Sequence, residues 1–130
     1  RVVGRYLARN LSTFRTIASW KPGAEAMAQA IGKRDHGEVA RRLAEYWSLK
    51  RSIDPGAAHP EIDALASTLK RDVLAWELPG AGGGGYLFML AKDPDAAARV
   101  RRTLTRKPLN EHARLAPFSL DSTGLEVLRT

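Results

Sequence analysis

A run of glycine limits the folds open to this chain more than any other feature of its sequence. Five of the eleven glycines fall between Gly80 and Gly85, where Ala81 is the one other residue. Apolar segments at 73–78 and 86–91 flank this run and are predicted as two strands, the second buried on both faces. A plain hairpin needs only one or two glycines, and extra glycines cost backbone entropy on folding. The density of glycine therefore indicates that a bare backbone lies close to another group.

The residues in and after the glycine segment match neither of two well-known phosphate-binding loops. Successive exposed N–H groups in such a loop can form a concave anion site. No Gly-Lys-Ser/Thr sequence follows, so the segment is not a Walker loop. It does satisfy G-x-G-x-x-G, but a strand follows where a dinucleotide-binding fingerprint requires a helix. A simple hairpin connection with no ligand remains the alternative interpretation.

In the first half of the chain, apolar residues recur every three to four positions, which predicts helices. Residues 1–9 are predicted to be the end of a helix. The predicted helix starts after that are Ser12, Asp35, Pro60 and Asp93. Pro22 removes a backbone hydrogen bond and crowds the preceding turn, so a kink or break is expected there. The helix after Asp93 is predicted to run to about Leu104. Two further strands are predicted, over 113–120 with a bend at Pro117 and over 125–128.

These elements predict an α+β fold, with an antiparallel sheet of about four strands packed against helices. A chain of 130 residues can bury a sizeable core, so residues 1–130 are expected to form one domain. Its helical part covers about 1–72 and its sheet-containing part about 73–130. The chain has no initiator Met and begins within an apolar pattern, so we expect it to be a fragment of a longer protein.

The composition of the chain limits the classes of function that it can have. The chain has no cysteine, which excludes disulfides, a thiolate zinc site and a cysteine nucleophile and fits a cytoplasmic location. No secretory signal is visible and no apolar run is long enough to span a bilayer, so no membrane partner is expected. The formal net charge of +7 permits nucleic-acid binding. The basic residues are spread along solvated helix faces, however, so no nucleic-acid partner is predicted.

The glycine segment and its flanks resemble a known family. The stretch 78–86, Leu-Pro-Gly-Ala-Gly-Gly-Gly-Gly-Tyr, resembles the third signature of the galactokinase, homoserine kinase, mevalonate kinase and phosphomevalonate kinase (GHMP) superfamily. The stretch 46–56 is similar to the W-x-L-x-K-x-L-D-P-G segment of L-fucose kinases, and 91–97 and 113–127 also look like that family. Within the superfamily the chain is most like L-fucose kinases, and the resemblance covers essentially its whole length.

The resemblance implies a ferredoxin-like C-terminal domain of an ATP-dependent sugar kinase, which transfers a phosphoryl group from Mg-ATP to the anomeric hydroxyl of L-fucose. The residues implied to line the nucleotide-phosphate site are Gly80, Ala81, Gly82, Gly83, Gly84 and Gly85. The implied partners are the sugar and an N-terminal kinase domain, which would bind most of the ATP and Mg²⁺. No P-x-x-x-G-L-x-S-S phosphate loop occurs here, so no catalytic residue is expected in this chain and the chain alone is expected to be inactive.

Two alternatives remain open at this stage, a heptose 7-phosphate kinase and a basic RNA-binding module. The chain also departs from the family pattern: Glu77 replaces a usual Lys, and a carboxylate beside phosphate is expected to point away from it.

Four side chains outside the glycine run are candidates for the substrate vicinity: Trp47, Lys50, Arg51 and Tyr86. Core packing for Trp47, a helix-terminus role for Lys50 and Arg51, and burial for Tyr86 are the simpler interpretations. The three histidines lack metal-ligand spacing, so no metal site is predicted.

Overall fold

The computed structural model describes residues 2–57, 59–80, 85–120 and 123–124. These residues form five α-helices, one 3-10 turn and two strands. In chain order the elements are α1 (Val2–Leu7), α2 (Leu11–Gly32), α3 (His36–Ile53), the 3-10 turn (Pro55–Ala57), α4 (Pro60–Leu69), β1 (Val73–Glu77), β2 (Phe88–Ala91) and α5 (Pro94–Arg106).

Short polar side chains start three of the helices. Asp35 accepts a hydrogen bond from the Glu38 amide at 2.9 Å, and Asp93 accepts one from the Ala96 amide at 2.6 Å, so both predicted caps are confirmed. The predicted cap at Ser12 is wrong, because Asn10 accepts from the Thr13 amide instead. Asn10 places the helix start at Leu11, and Ser12 then lies inside the first turn.

A break at Pro22 is also wrong, because α2 continues through it to Gly32, whereas a kink there stays a prediction. Proline leaves the carbonyl four residues earlier without its helical donor. That carbonyl belongs to Ala18, and both Ala18 and Pro22 lie on the exposed side of the helix. Water can satisfy the freed carbonyl there, so the helix tolerates the proline.

The two strands pair antiparallel, with an irregularity between Val73 and Ala75 that leaves Leu74 as an extra residue. An extra residue shifts the alternation of side chains by one position. Val73 and Trp76 consequently share one face of the sheet, although three positions separate them. Ala75 lies on the opposite face.

Helices cover both faces of this small sheet. On one face Ala75 packs with Ala40 and Leu43 of α3, and Met27 of α2 packs against this cluster. On the other face Val73 packs with Leu69, the last residue of α4, and Val100 of α5. The core therefore has two parts, one on each face of the β1–β2 pair. Helices α2 and α3 pack on one face, and α4 and α5 pack on the other.

The sheet is smaller than the sequence indicates. The α+β class is confirmed, but residues 113–120 form no strand: all are exposed, and Pro117 lacks the N–H that a ladder needs. The segment instead brings Phe118 near Phe88, with ring centroids 5.9 Å apart. The strand predicted over 125–128 lies outside the described residues, so a four-stranded ferredoxin-like sheet stays a prediction. Both faces of β2 pack against helices as predicted, through Phe88 and Leu90 on one side and Met89 on the other, but its residues are half-buried rather than fully buried.

No helix within the described part of the chain combines the length and the apolar character that a membrane span requires.

The position of Leu43 yields a test of this core. Leu43 is 7% exposed between α3 and β1, so Leu43→Ala should lower the free energy of unfolding by about 2–5 kcal/mol. Leu7→Ala makes the same chemical change at a residue that is 74% exposed, and should change it by less than about 0.5 kcal/mol. Urea denaturation of both variants measures the difference. Equal losses would contradict the assignment of Leu43 to the core.

Candidate functional site

The end of α3 meets the end of β1 immediately before the glycine segment, and Lys50 makes the contact. Lys50 is 6% exposed, and its Nζ donates a hydrogen bond to the backbone carbonyl of Leu78, 28 positions later in the chain. Leu78 is itself 2% exposed. A buried carbonyl requires a donor, so this bond satisfies a group that water cannot readily reach.

Aromatic rings and a carboxylate surround the Lys50 ammonium. The Nζ atom lies 5.9 Å from the ring centroid of Tyr46 and 5.5 Å from that of Trp47, both within the range of cation–π attraction. The charge of Lys50 also acts on Glu77, the last residue of β1. This combination compensates a cation that would otherwise be costly to bury.

Glu77 lies on the side of the sheet that faces α3. It pairs across the sheet with Phe88, which packs against the α3 cluster. Burial raises the pKa of the Glu77 carboxyl above its usual value, and the charge of Lys50 opposes this increase only in part. Within the described residues its Oε2 atom is buried with no hydrogen-bond partner. Burial, and secondarily the charge of Glu77, also raises the pKa of Tyr46.

Arg51 links α3 to α4. Its guanidinium donates two hydrogen bonds to Asp63, at 3.0 Å and 2.9 Å, in the bidentate geometry that favours Arg–carboxylate pairs. It also lies 5.9 Å from the centroid of the Trp47 ring. The hydrogen bonds hold the α4 start close to the end of α3.

Trp47 belongs to the core around Leu78, two residues before Gly80. It is 6% exposed and packs with Ala57 and Leu78, and its ring centroid lies 5.4 Å from that of Trp76. Tyr86 has the opposite environment, because it is 74% exposed just after Gly85. Trp47, Lys50 and Arg51 therefore lie together at the end of α3, whereas Tyr86 lies on the surface just after Gly85.

The glycine segment is described at its two ends. Gly80 has φ of 71° and Gly85 has φ of 91°, values that side-chain-bearing residues rarely adopt. Apart from the chain neighbours, no described residue would lie within 4 Å of a Cβ atom added to either glycine. The predicted site residues Ala81, Gly82, Gly83 and Gly84 lie outside the described residues.

Comparison with known proteins identifies the family. A family model described as the C-terminal domain of GHMP kinases matches residues 27–111, which include both flanks of the glycine segment. The chain belongs to the GHMP kinase C-terminal family. The resemblance inferred from the residues around Gly80 is thereby confirmed, and the GHMP kinase family is one that uses ATP.

Two curated relatives of this GHMP kinase domain are similar over most of its length. An L-fucokinase/L-fucose-1-P guanylyltransferase of Bacteroides fragilis is 37% identical over 114 residues, which cover 88% of this chain. A bifunctional fucokinase/GDP-fucose pyrophosphorylase of Arabidopsis thaliana is 31% identical over 113 residues, or 87% of this chain. The chain spans 12% of the length of the first relative and 10% of the second. No solved structure matches the chain.

Two features at the end of α3 and β1 were not predicted from the sequence: the bond from Lys50 to the Leu78 carbonyl and the burial of Glu77 beside Tyr46. The sequence does contain a clue, because Lys50 stands among apolar helix positions. This pattern is equally typical of a solvated helix end, so it did not reveal the contact. Among the described residues, no group of three or more acidic or histidine side chains could hold a metal ion.

The raised pKa of Glu77 gives a pH-dependent prediction. At a pH above both its folded and unfolded pKa, the folded domain bears the cost of a buried carboxylate, and this cost disappears as the pH falls through the folded pKa. Glu77→Gln removes the ionisable group, so it should raise the melting temperature more at pH 8 than at pH 4. Glu25→Gln, at an exposed residue of α2, is the control and should show no such pH dependence. A gain for Glu77→Gln that is larger at pH 4 would contradict the assignment.

Proposed function

We propose that this domain belongs to an ATP-dependent kinase that phosphorylates the anomeric hydroxyl of L-fucose, and that its glycine segment lines the nucleotide-phosphate site. The observation that carries the choice of sugar is the similarity to two proteins that are both named as fucokinases, over nearly nine-tenths of this chain. The geometry at Gly80 and Gly85 supports the role of the segment.

The ends of the segment fit a neighbouring phosphate group. At both glycines the backbone takes a left-handed conformation, and the space where a side chain would stand is open. A phosphate-binding loop could therefore approach the main chain closely, which is the common use of glycine beside nucleotides. Gly80 and Gly85, with the four residues between them, would line the site.

Two cations at the end of α3, Lys50 and Arg51, are already engaged in the fold. Lys50 donates to the Leu78 carbonyl, and Arg51 donates twice to Asp63. Phosphoryl transfer depends on positive charge that neutralises the phosphates, which Mg²⁺ and basic side chains supply when ATP is bound. We propose that the N-terminal kinase domain holds most of this charge, and that the present domain alone has no kinase activity.

The RNA-binding alternative receives no support from the sheet. A ferredoxin-like RNA module stacks bases on aromatic side chains exposed on its sheet surface. Here α2 and α3 cover one face and α4 and α5 the other. Phe88 lies against the α3 cluster, and exposed Tyr86 precedes β2 rather than standing within it.

A substrate panel tests the proposed sugar. The full-length protein that carries this domain should consume ATP with L-fucose and form a sugar 1-phosphate, detected by ³¹P NMR. Galactose and D-glycero-D-manno-heptose 7-phosphate serve as the comparison substrates, and each should give a kcat/KM at least about tenfold lower. A preference for the heptose phosphate would replace L-fucose as the substrate, and no turnover with any sugar would contradict the kinase assignment.

A pair of glycine variants tests the role of the segment. Gly80 and Gly124 both have positive φ, 71° and 75°, and open space around them, so either change to Ala should cost about 1–2 kcal/mol in backbone strain. In the full-length protein Gly80→Ala should raise the KM for ATP or lower kcat by about tenfold or more, because the backbone near the phosphates shifts. Gly124→Ala should leave both constants within about twofold. If Gly80→Ala and Gly124→Ala changed KM and kcat equally in steady-state kinetics, backbone strain alone would explain the loss. The proposed position of Gly80 near the phosphates would then be contradicted.

A further inference from the structure

We propose that Lys50 is a positioning residue for the glycine segment: it fixes the carbonyl of Leu78, and with it the point where the chain enters the segment, rather than binding a phosphate. The kinetic consequence rests on the proposed function, whereas the effect on the order of the segment does not.

The backbone before the segment is constrained at three successive residues. The strand ladder ends at the pair Glu77 and Phe88, so Leu78 is the first residue beyond it. Lys50 holds the Leu78 carbonyl, the ring of Pro79 fixes its φ, and Gly80 takes a left-handed φ of 71°. The peptide plane between Leu78 and Pro79 sets the direction of everything that follows. Lys50 is thus the side chain that determines this plane.

The surroundings of Lys50 suit an anchor rather than a ligand-binding group. The residue is 6% exposed, with its ammonium beside the rings of Tyr46 and Trp47 and within the field of Glu77. To reach a phosphate, the ammonium would have to leave both rings and leave the Leu78 carbonyl buried without its donor. An unpaired buried carbonyl is costly, so the bound position is strongly preferred.

The neighbouring Arg51 provides an internal comparison. It is also a cation at the end of α3, and it also lies near the Trp47 ring. Its partner is Asp63 in α4, however, and not the backbone before the glycine segment. The two residues therefore have the same location but different tasks, which allows the effect of losing each cation to be separated.

The first experiment compares Lys50→Met, Lys50→Arg and Arg51→Met in the full-length protein that carries this domain. Amide hydrogen exchange of peptides that carry the two strand ends, 75–78 and 87–90, should be about tenfold or more faster in Lys50→Met, because the ladder ends at Glu77 and Phe88 and local opening beside Leu78 no longer breaks the Lys50 bond. Lys50→Arg keeps a donor and should restore part of the protection. Arg51→Met should instead increase exchange in α4 and leave both strand ends unchanged.

Kinetics of the same variants separate the roles in catalysis. Lys50→Met should lower kcat about tenfold or more with a smaller change in the KM for ATP, because the segment is misplaced in the reacting complex. An increase in the KM for ATP with unchanged exchange at the two strand ends, 75–78 and 87–90, would identify Lys50 as a phosphate ligand and overturn the proposal. If no sugar supports turnover, the proposed function fails, and the exchange result still decides the role of Lys50.

A measurement on the unmodified full-length protein covers the case in which Lys50→Met does not fold. Lysine acetylation, followed by peptide mass spectrometry, should modify exposed Lys33 and Lys70 rapidly and Lys50 at least about a hundredfold more slowly, with or without ATP. Rapid modification of Lys50 that ATP suppresses would mean that its ammonium is free to meet the nucleotide, and would overturn the proposal.

Discussion

The irregularity at Leu74 determines how the rest of this domain is assembled. Without the extra residue, β1 would keep strict alternation from Val73 to Glu77, and Val73 would face the same helices as Ala75. With it, Val73 and Trp76 pack toward α4 and α5, whereas Ala75 and Glu77 face α3. Two strands can then support helices on both faces. The same shift places Glu77 beside Lys50 at the end of the sheet.

Features that depend on a single side chain, such as helix caps, were predictable from the sequence. Asp35 and Asp93 precede apolar helical patterns, and each caps the helix as expected. The failures occurred where the outcome depends on surroundings. Asn10 and Ser12 are both good caps, and only the packing of α1 against α2 selects the first. Pro22 was predicted to interrupt α2, but exposure to water removes most of the reason for a break.

The larger errors concern contacts between distant residues. Apolar residues at 113–120 resemble a strand, yet a strand requires a partner with free backbone groups, and the sequence does not reveal that Pro117 and full exposure leave this segment unpaired. The glycine segment was recognisable because composition alone marks it. The bond that joins Lys50 to Leu78 was not, because helical periodicity indicates which residues share a face but not which carbonyl a long side chain reaches 28 positions away.

Several basic residues of the domain have partners within the fold. Arg41 and Arg42 both donate to Glu38, at distances between 2.6 and 2.8 Å, and these bonds hold the pKa of the Glu38 carboxyl at about 2. Arg99 pairs with Asp72 in the same way and joins α5 to the start of β1. With Lys50 and Arg51, several of the cations that first suggested an anionic polymer are partners of groups within the fold. Arg41 and Arg42 pair with Glu38 within α3, whereas Lys50, Arg51 and Arg99 connect separate elements, so these cations have partners in the fold and need no nucleic acid to account for them.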